Sequence, residues 1–264
     1  MMKFSVESEA NFATLVETVS HLRSTDGCPW DREQTHYSLR RNLLEESYEV
    51  LDALDKGDSK GLAEELGDLL LQVIMHCQIA QENGEFSVAD IIELLQNKLI
   101  RRHPHVFGEV HVDTSREAEE NWEIIKKQEK RRASVLDGIP KAMPALGRCQ
   151  AISRRAARAG FEFPNEKDLK CKLDEELQEL SDAKTLGEIE HEFGDVLFTL
   201  VNLGRWWGLD AEDSLRIAND RFCNRFNYME KECARNGTSL STLSVVTKET
   251  LWQQAKQAGG RENA

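Results

Sequence analysis

Residues 43–73 read LLEESYEVLDALDKGDSKGLAEELGDLLLQV, and this stretch decides the fold because its apolar and acidic residues recur at helical spacing. The turn KGDS at residues 56–59 separates two helices, which we predict over residues 37–54 and 60–81. Helices joined by so short a turn lie antiparallel. The stretch therefore predicts a helical hairpin with an ExxE motif on its first helix and an ExGD motif on its second.

The same pattern returns in residues 172–201, which read KLDEELQELSDAKTLGEIEHEFGDVLFTLV. The acids of the two sets correspond in order: Glu46, Glu49, Glu65 and Asp68 in the first half, and Glu176, Glu179, Glu192 and Asp195 in the second. The interval between the two motifs is three residues shorter in the second half, and we expect the turn to absorb this difference. The chain therefore contains an internal repeat.

The repeated acids predict a metal site in each half. Residues three apart on a helix share one face, so each hairpin can bring four carboxylates together. Such carboxylates repel one another unless a cation lies among them, and oxygen ligands favour Mg²⁺, with Mn²⁺ also possible. A lone ExxE is usually a solvated helix face. Gly67 and Gly194 interrupt both helices at the same place, which predicts the close approach of another helix and favours a functional repeat.

The rest of the chain is also read as helix, and no convincing strand pattern occurs. A first helix ends before a loop at Gly27, and Ser87 with Asp90 predicts a capping box. A helix over residues 116–132 precedes a stretch rich in proline and glycine. We predict an all-α chain with an N-terminal domain over residues 1–132, a linker over 133–147 and a C-terminal domain over 148–264.

Composition limits the classes of function. The 264 residues are long enough for two domains, and 34 basic against 47 acidic residues give a net charge of −13, which disfavours binding to nucleic acid. The six cysteines form no CxxC motif, so a zinc knuckle or a redox dithiol is not expected. No apolar run is long enough to span a membrane, and the acidic start of the chain does not look like a signal peptide. We expect a cytoplasmic protein.

Five segments together resemble the MazG family of nucleoside triphosphate pyrophosphohydrolases, and the resemblance covers about residues 15–256. The segments are CPWDREQTH, LLEESYEVLDAL, EELGDLLLQV, NKLIRRHPHVFGEV and ETLWQQAKQ. The resemblance implies two tandem MazG-like helical-bundle domains, usually in a homodimer. It also implies hydrolysis of nucleoside triphosphates, including deoxynucleotides, to the monophosphate and pyrophosphate, in the housekeeping of nucleotide pools.

The resemblance also suggests roles for individual residues. Four positions of the second half match positions that contact nucleotide in the family: Lys172, Arg221, Arg225 and Trp252. Lys98 and Arg102 occupy the place of the two arginines in the first half. The alternative for the basic residues is ordinary solvated helix charge, and for the tryptophan a place in the core. Glu175 is the candidate general base.

Other interpretations remain open at the level of sequence. The chain could be a non-catalytic nucleotide sensor or a helical interaction scaffold that keeps the acids only for stability. A di-iron oxidoreductase would use ExxH pairs, and the chain has two, Glu33 with His36 and Glu188 with His191. These pairs do not occupy equivalent positions of the repeat, so we treat them as chance. All eight acids are present, and the resemblance favours the second half as the principal site.

Overall fold

The computed structural model of the protein describes residues 10–129 and 134–259. Within these ranges the chain forms twelve α-helices and one short 3₁₀ helix, with no β-strand, which confirms the all-α prediction. Contacts divide the chain into two compact units: unit 1 is Met1–Lys130 and unit 2 is Arg131–Ala264. The domain limits and the linker drawn from the sequence stay predictions, and a helix begins at Ala145, inside that predicted linker.

The described residues of unit 1 form seven helices. They are α1 (Phe12–Leu22), α2 (Pro29–Glu33), α3 (Arg40–Lys56), α4 (Ser59–Glu82), α5 (Val88–Arg102), α6 (Pro104–Phe107) and α7 (Ser115–Glu129). The short helix α2 lies in the segment that was predicted as a loop after Gly27, and in both α2 and α6 a proline occupies the first turn, where its missing N–H costs nothing. The predicted end of α7 at residue 132, and the start of the chain, lie outside the described residues.

In the part of unit 2 that the structure describes, the chain forms five α-helices and the 3₁₀ helix. They are α8 (Ala145–Arg158), α9 (Glu166–Asp182), α10 (Leu186–Trp206), α11 (Ala211–Arg235), the 3₁₀ helix Leu240–Thr242 and α12 (Val245–Gly259). No helix among the described residues is both long and apolar enough to cross a membrane. All six cysteines are free thiols.

Each unit is built on one helical hairpin, which pairs α3 with α4 in unit 1 and α9 with α10 in unit 2. Gly57 ends α3 in the left-handed conformation, and the Asp58 side chain accepts hydrogen bonds from the first backbone N–H groups of α4. Thr185 and Glu188 form a capping box at the start of α10. A second capping box, at Ser87 and Asp90, confirms the prediction for α5.

The turn does not absorb the three-residue difference between the two halves, so that expectation was wrong. Helix α3 continues to Lys56, seven residues past Glu49, whereas α9 ends at Asp182, three residues past Glu179. The turn itself is one residue longer in unit 2. The difference therefore lies mainly in one extra turn of helix α3, which ends only where Gly57 provides a C-terminal cap.

The buried residues of the long helices lie toward their C-terminal ends, beyond the acids. In α4 they extend from Gln72 to Ala80, and they pack with Val19 and Leu39 into the core of unit 1. In α10 they extend from Thr199 to Leu203. Each hairpin is thus anchored at one end by apolar burial, which leaves its other end available for charged side chains.

Arg23 fastens the loop that follows α1 to the end of α4. Its guanidinium, almost fully buried, pairs with the Glu82 carboxylate at 2.7 Å and donates to the carbonyls of Asp31 and Gln34. The pairing with Arg23 lowers the pKa of Glu82. One side chain therefore joins α1, the segment of α2 and α4.

We expect Arg23→Ala to destabilise unit 1 by about 2 kcal/mol, because two carbonyls and a carboxylate lose their donor. The rate of hydrogen–deuterium exchange in peptides from α4 measures the local stability of unit 1. The control is Lys56→Ala, which removes an exposed ion pair with Asp52 and should cost less than about 0.5 kcal/mol. Equal protection of α4 in the two variants would contradict the role of Arg23.

Candidate metal and nucleotide site

In unit 1 the structure brings three of the four predicted acids into one group. Donor oxygens of Glu46, Glu49 and Glu65 all lie within 4.8 Å of one another. Burial raises the pKa of Glu46, and the charges of Asp68 and Glu49 raise it further. The pKa of Glu65 is raised in the same way, with Glu49 and Asp68 among the causes. Asp68 therefore acts on the group through its charge, and the four acids of unit 1 form one electrostatic cluster.

In unit 2 the predicted acids fall into two groups that share Glu192. One contains Glu176, Glu179 and Glu192, and the other contains His191, Glu192 and Asp195, with the donor atoms of each group within 4.8 Å. Glu176 is buried, at 6% exposure. The pKa of Glu179 is raised by partial burial and by the charges of Glu176 and Glu192, although Lys172 lowers it.

Lys172 enters the acid cluster of unit 2 from the preceding turn of α9. Its ammonium group lies 2.6 Å from a Glu175 oxygen and 3.1 Å from a Glu176 oxygen. Hydrogen bonds to these two carboxylates raise the pKa of Lys172. In the aligned repeat, Asn42 occupies this position in unit 1. The predicted nucleotide ligand Lys172 and the candidate base Glu175 are thus direct neighbours of the acids.

Two of the remaining predicted nucleotide ligands contact each other. The Arg225 guanidinium lies 5.7 Å from the centre of the Trp252 ring. The centre of the Phe222 ring lies 5.2 Å from the centre of the same Trp252 ring. Arg221 is exposed one turn earlier on α11. Trp252 is half-buried, so it contributes to the packing of α12 on α11 as well as presenting a ring edge.

Unit 1 contains a matching arginine and tryptophan, which the sequence interpretation did not pair. Arg102 lies 5.0 Å and Lys126 4.5 Å from the centre of the Trp122 ring. Arg102 occupies the place of Arg225 in the repeat, but Trp122 and Trp252 follow their arginines at different distances along the chain. Because these intervals differ, aligning the two halves does not pair Trp122 with Trp252. The correspondence becomes apparent only from the packing of the helices.

The explanation offered for the two mid-helix glycines was wrong within each unit. A Cβ built on Gly67 or on Gly194 would meet no side chain and no neighbouring helix within 4 Å among the described residues. Both glycines lie on exposed surface. No close packing inside either unit therefore requires a glycine at these positions.

The histidines of the two ExxH pairs have separate roles. Glu188 accepts hydrogen bonds from the backbone at Lys184 and Thr185, so it caps α10. His36 stacks on His76, with their Nδ1 atoms 2.8 Å apart. His191 faces the acids instead, with its Nδ1 atom 3.4 Å from a Glu192 oxygen and 3.2 Å from an Asp195 oxygen, a role that the sequence interpretation did not give it.

The donor set of each cluster fits a hard divalent cation. Carboxylate oxygens converge, neighbouring carboxylate charges add to burial in raising the pKa values of Glu46, Glu65 and Glu179, and a cation among them would remove that repulsion. An ion held in this way can also bind phosphate oxygens, which supply further oxygen ligands. The arrangement can therefore bind a metal together with a polyphosphate.

Comparison with known proteins gives one family. A profile described as the MazG nucleotide pyrophosphohydrolase domain matches residues 34–107, within unit 1. The Thermotoga maritima protein named nucleoside triphosphate pyrophosphohydrolase/pyrophosphatase MazG is 43% identical over 253 residues, covering 95% of this chain and 97% of that protein. The Escherichia coli K12 nucleoside triphosphate pyrophosphohydrolase is 41% identical over 92% of this chain and 96% of that protein. YabN of Bacillus subtilis, an uncharacterized protein, is 40% identical over 95% of this chain and 52% of its own length.

We expect Glu46→Gln to stabilise the metal-free protein at neutral pH. The pKa of Glu46 is higher in the folded protein than in the unfolded chain, so the folded state binds more protons at Glu46 than the unfolded state does. The free energy of unfolding therefore falls as pH rises through that pKa. The amide removes this loss. Thermal melts in chelator between about pH 4 and 7 should show the gap between variant and wild type widening with pH.

Glu93→Gln, which neutralises an exposed acid on α5 outside the cluster, serves as the control and should not show this widening. Addition of Mg²⁺ should raise the melting temperature of the wild type by mass action and that of Glu46→Gln less. An unchanged pH profile in Glu46→Gln would contradict repulsion within the cluster.

Proposed function

The chain belongs to the MazG family of nucleoside triphosphate pyrophosphohydrolases, and we propose that it converts nucleoside triphosphates and deoxynucleoside triphosphates to monophosphates and pyrophosphate with Mg²⁺. The observation that carries this proposal is the convergence of carboxylates on one helical hairpin in each unit. The proposed setting is the housekeeping of nucleotide pools in the cytoplasm. The net charge of −13 supports small metal-bound nucleotides as partners and opposes nucleic acid.

The acids of each hairpin would hold the metal: Glu46, Glu49, Glu65 and Asp68 in unit 1, and Glu176, Glu179, Glu192 and Asp195 in unit 2. Mn²⁺ could replace Mg²⁺, since carboxylates suit both ions. When bound, the ion would neutralise phosphate charge and lower the pKa of coordinated water. The protein contributes the fixed placement of oxygen ligands on two packed helices, which sets where the triphosphate lies.

The basic residues of unit 2 would hold the phosphates and the base. Lys172 already lies beside the metal ligands, so its ammonium can move from Glu175 to a phosphate oxygen without leaving the site. Arg221 and Arg225 share one face of α11 and can pair with the outer phosphates. Trp252, next to Arg225, offers an aromatic surface to the nucleoside.

Glu175 is the carboxylate that we assign as general base. It is exposed, directly precedes Glu176 in the chain, and pairs with Lys172, whose move to a phosphate oxygen would leave the Glu175 carboxylate available as a base. A carboxylate there can accept a proton from a water molecule while the oxygen of that water attacks the α phosphorus. The bond between that phosphorus and the bridging oxygen breaks, and pyrophosphate leaves.

Unit 2 is the unit that we propose as the principal site. Its cluster combines a buried acid with a lysine, whereas the aligned position in unit 1 carries Asn42. A cation beside the acids lowers their repulsion and adds a phosphate ligand. Unit 1 keeps its own acids and the Arg102–Trp122 contact, which support a weaker site of the same kind.

The function is tested by following pyrophosphate and monophosphate from each nucleotide, with Mg²⁺ and with chelator. We expect Glu192→Gln to lower turnover by about a hundredfold, and Glu65→Gln much less, because a metal site loses affinity on that scale when its ligation is disturbed. Release of single phosphate, or full activity in chelator, would reject the proposal. Binding of metal and nucleotide without turnover would instead favour the sensor.

We also propose a homodimer, because the acid-bearing helices carry apolar residues that their own unit leaves exposed. Phe193, Leu197 and Leu200 share one face of α10, and each is more than a third exposed. In unit 1 the matching helix pair exposes Leu44 and Tyr48 on α3. Exposed apolar faces of this kind mark contacts with another chain, and the exposed Gly67 and Gly194 would let a partner helix approach closely.

The double variant Phe193→Glu with Leu197→Glu should convert the dimer to a monomer, because a partner helix would bury two unpaired charges. Sedimentation equilibrium measures the mass. Gln257→Glu adds a charge at an exposed position at the end of α12 and should leave the mass unchanged. A wild-type protein of 30 kDa in solution would reject the dimer.

A further inference from the structure

The acid clusters of the two units differ in one donor. The residue before the ExGD motif is Glu64 in unit 1 and His191 in unit 2. In unit 2 the imidazole belongs to a group of possible metal ligands with Glu192 and Asp195, whereas the group in unit 1 contains carboxylates alone. The two clusters of one chain therefore offer different ligand chemistry to a cation.

The geometry places the imidazole where a ligand would lie. The Nδ1 atom of His191 is 3.2 Å from an Asp195 oxygen and 3.4 Å from a Glu192 oxygen. On a six-coordinate ion with bonds of about 2.1 Å, neighbouring ligand atoms lie about 3 Å apart. Helix α10 supplies this spacing, because residues four apart lie one above the other on a helix.

We propose that His191 is an additional metal ligand of unit 2 and shifts the preference of that cluster from Mg²⁺ toward Mn²⁺. This inference rests on the proposed function, since it concerns the same site. Mg²⁺ strongly prefers oxygen, whereas Mn²⁺ accepts imidazole nitrogen more readily and lies in the series of ions that nitrogen ligands favour. The cluster of unit 1, with carboxylates only, lacks this nitrogen donor.

The sequence makes this proposal easy to isolate, because His191 is the only histidine after residue 111. The test uses the full chain with Glu65→Gln and Asp68→Asn, which disable the cluster of unit 1. Mn²⁺ is added alone, and pulsed electron paramagnetic resonance detects nitrogen bound to it. We expect a directly bound imidazole nitrogen, and we expect the signal to vanish in His191→Glu, which restores the residue of unit 1.

Competition between Mn²⁺ and Mg²⁺ in the same samples measures the preference. His191→Glu should lower the preference for Mn²⁺ over Mg²⁺ by about tenfold, the scale on which metal sites respond to altered ligation. The matched variant is Glu64→His in a chain whose unit 2 is disabled by Glu192→Gln and Asp195→Asn. It should gain bound nitrogen and a preference for Mn²⁺.

The outcomes separate this inference from the proposed function. Mn²⁺ bound without nitrogen, or with nitrogen that persists in His191→Glu, overturns the role of His191 while the pyrophosphohydrolase stands. Absence of Mn²⁺ binding, together with absence of pyrophosphate release, rejects both. Because His191 is exposed, circular dichroism of His191→Glu should match the parent chain, and His191→Gln serves as a second variant without added charge.

Discussion

Carboxylates repel one another when a helical hairpin holds them at one point, and the rest of each unit is organised around that repulsion. Burial raises the pKa values of Glu46, Glu65 and Glu179, and the charges of neighbouring carboxylates raise them further. The helices stay together because apolar residues at their far ends are buried: Ile74 and Met75 on α4, and Val201 and Leu203 on α10. Apolar burial at one end of a hairpin thus supports an electrostatically unfavourable cluster at the other.

The two units answer this repulsion differently, although they share one pattern. Unit 2 has the ammonium of Lys172 and the imidazole of His191 beside its acids, whereas the aligned positions in unit 1 are Asn42, which is uncharged, and Glu64, which is a further carboxylate. A metal ion would therefore neutralise more negative charge in unit 1 than in unit 2. Duplication preserved the carboxylates, and the neighbouring positions diverged to give two clusters of different charge.

The helices and the acids could be predicted from the sequence because both depend on local spacing. Apolar residues at helical period located α3 and α4 to within about three residues of their ends. Contacts between distant segments could not be predicted in this way. The pairing of Arg102 with Trp122 depends on how α5 packs on α7, and the exposure of Gly67 and Gly194 depends on which helix faces stay uncovered. His191 was missed because its contacts follow a spacing of four rather than three.

A protein with a net charge of −13 repels a triphosphate at long range, so the approach of substrate depends on charges close to the site. Lys172 provides positive charge at the acids, but it is already paired with Glu175 and Glu176. A bare nucleotide would have to compete with those carboxylates for the lysine. A nucleotide that arrives with its metal brings the charge that the acids need, and it thereby frees Lys172 for a phosphate. Acids and lysine together thus favour the metal-bound form of the substrate over the free anion.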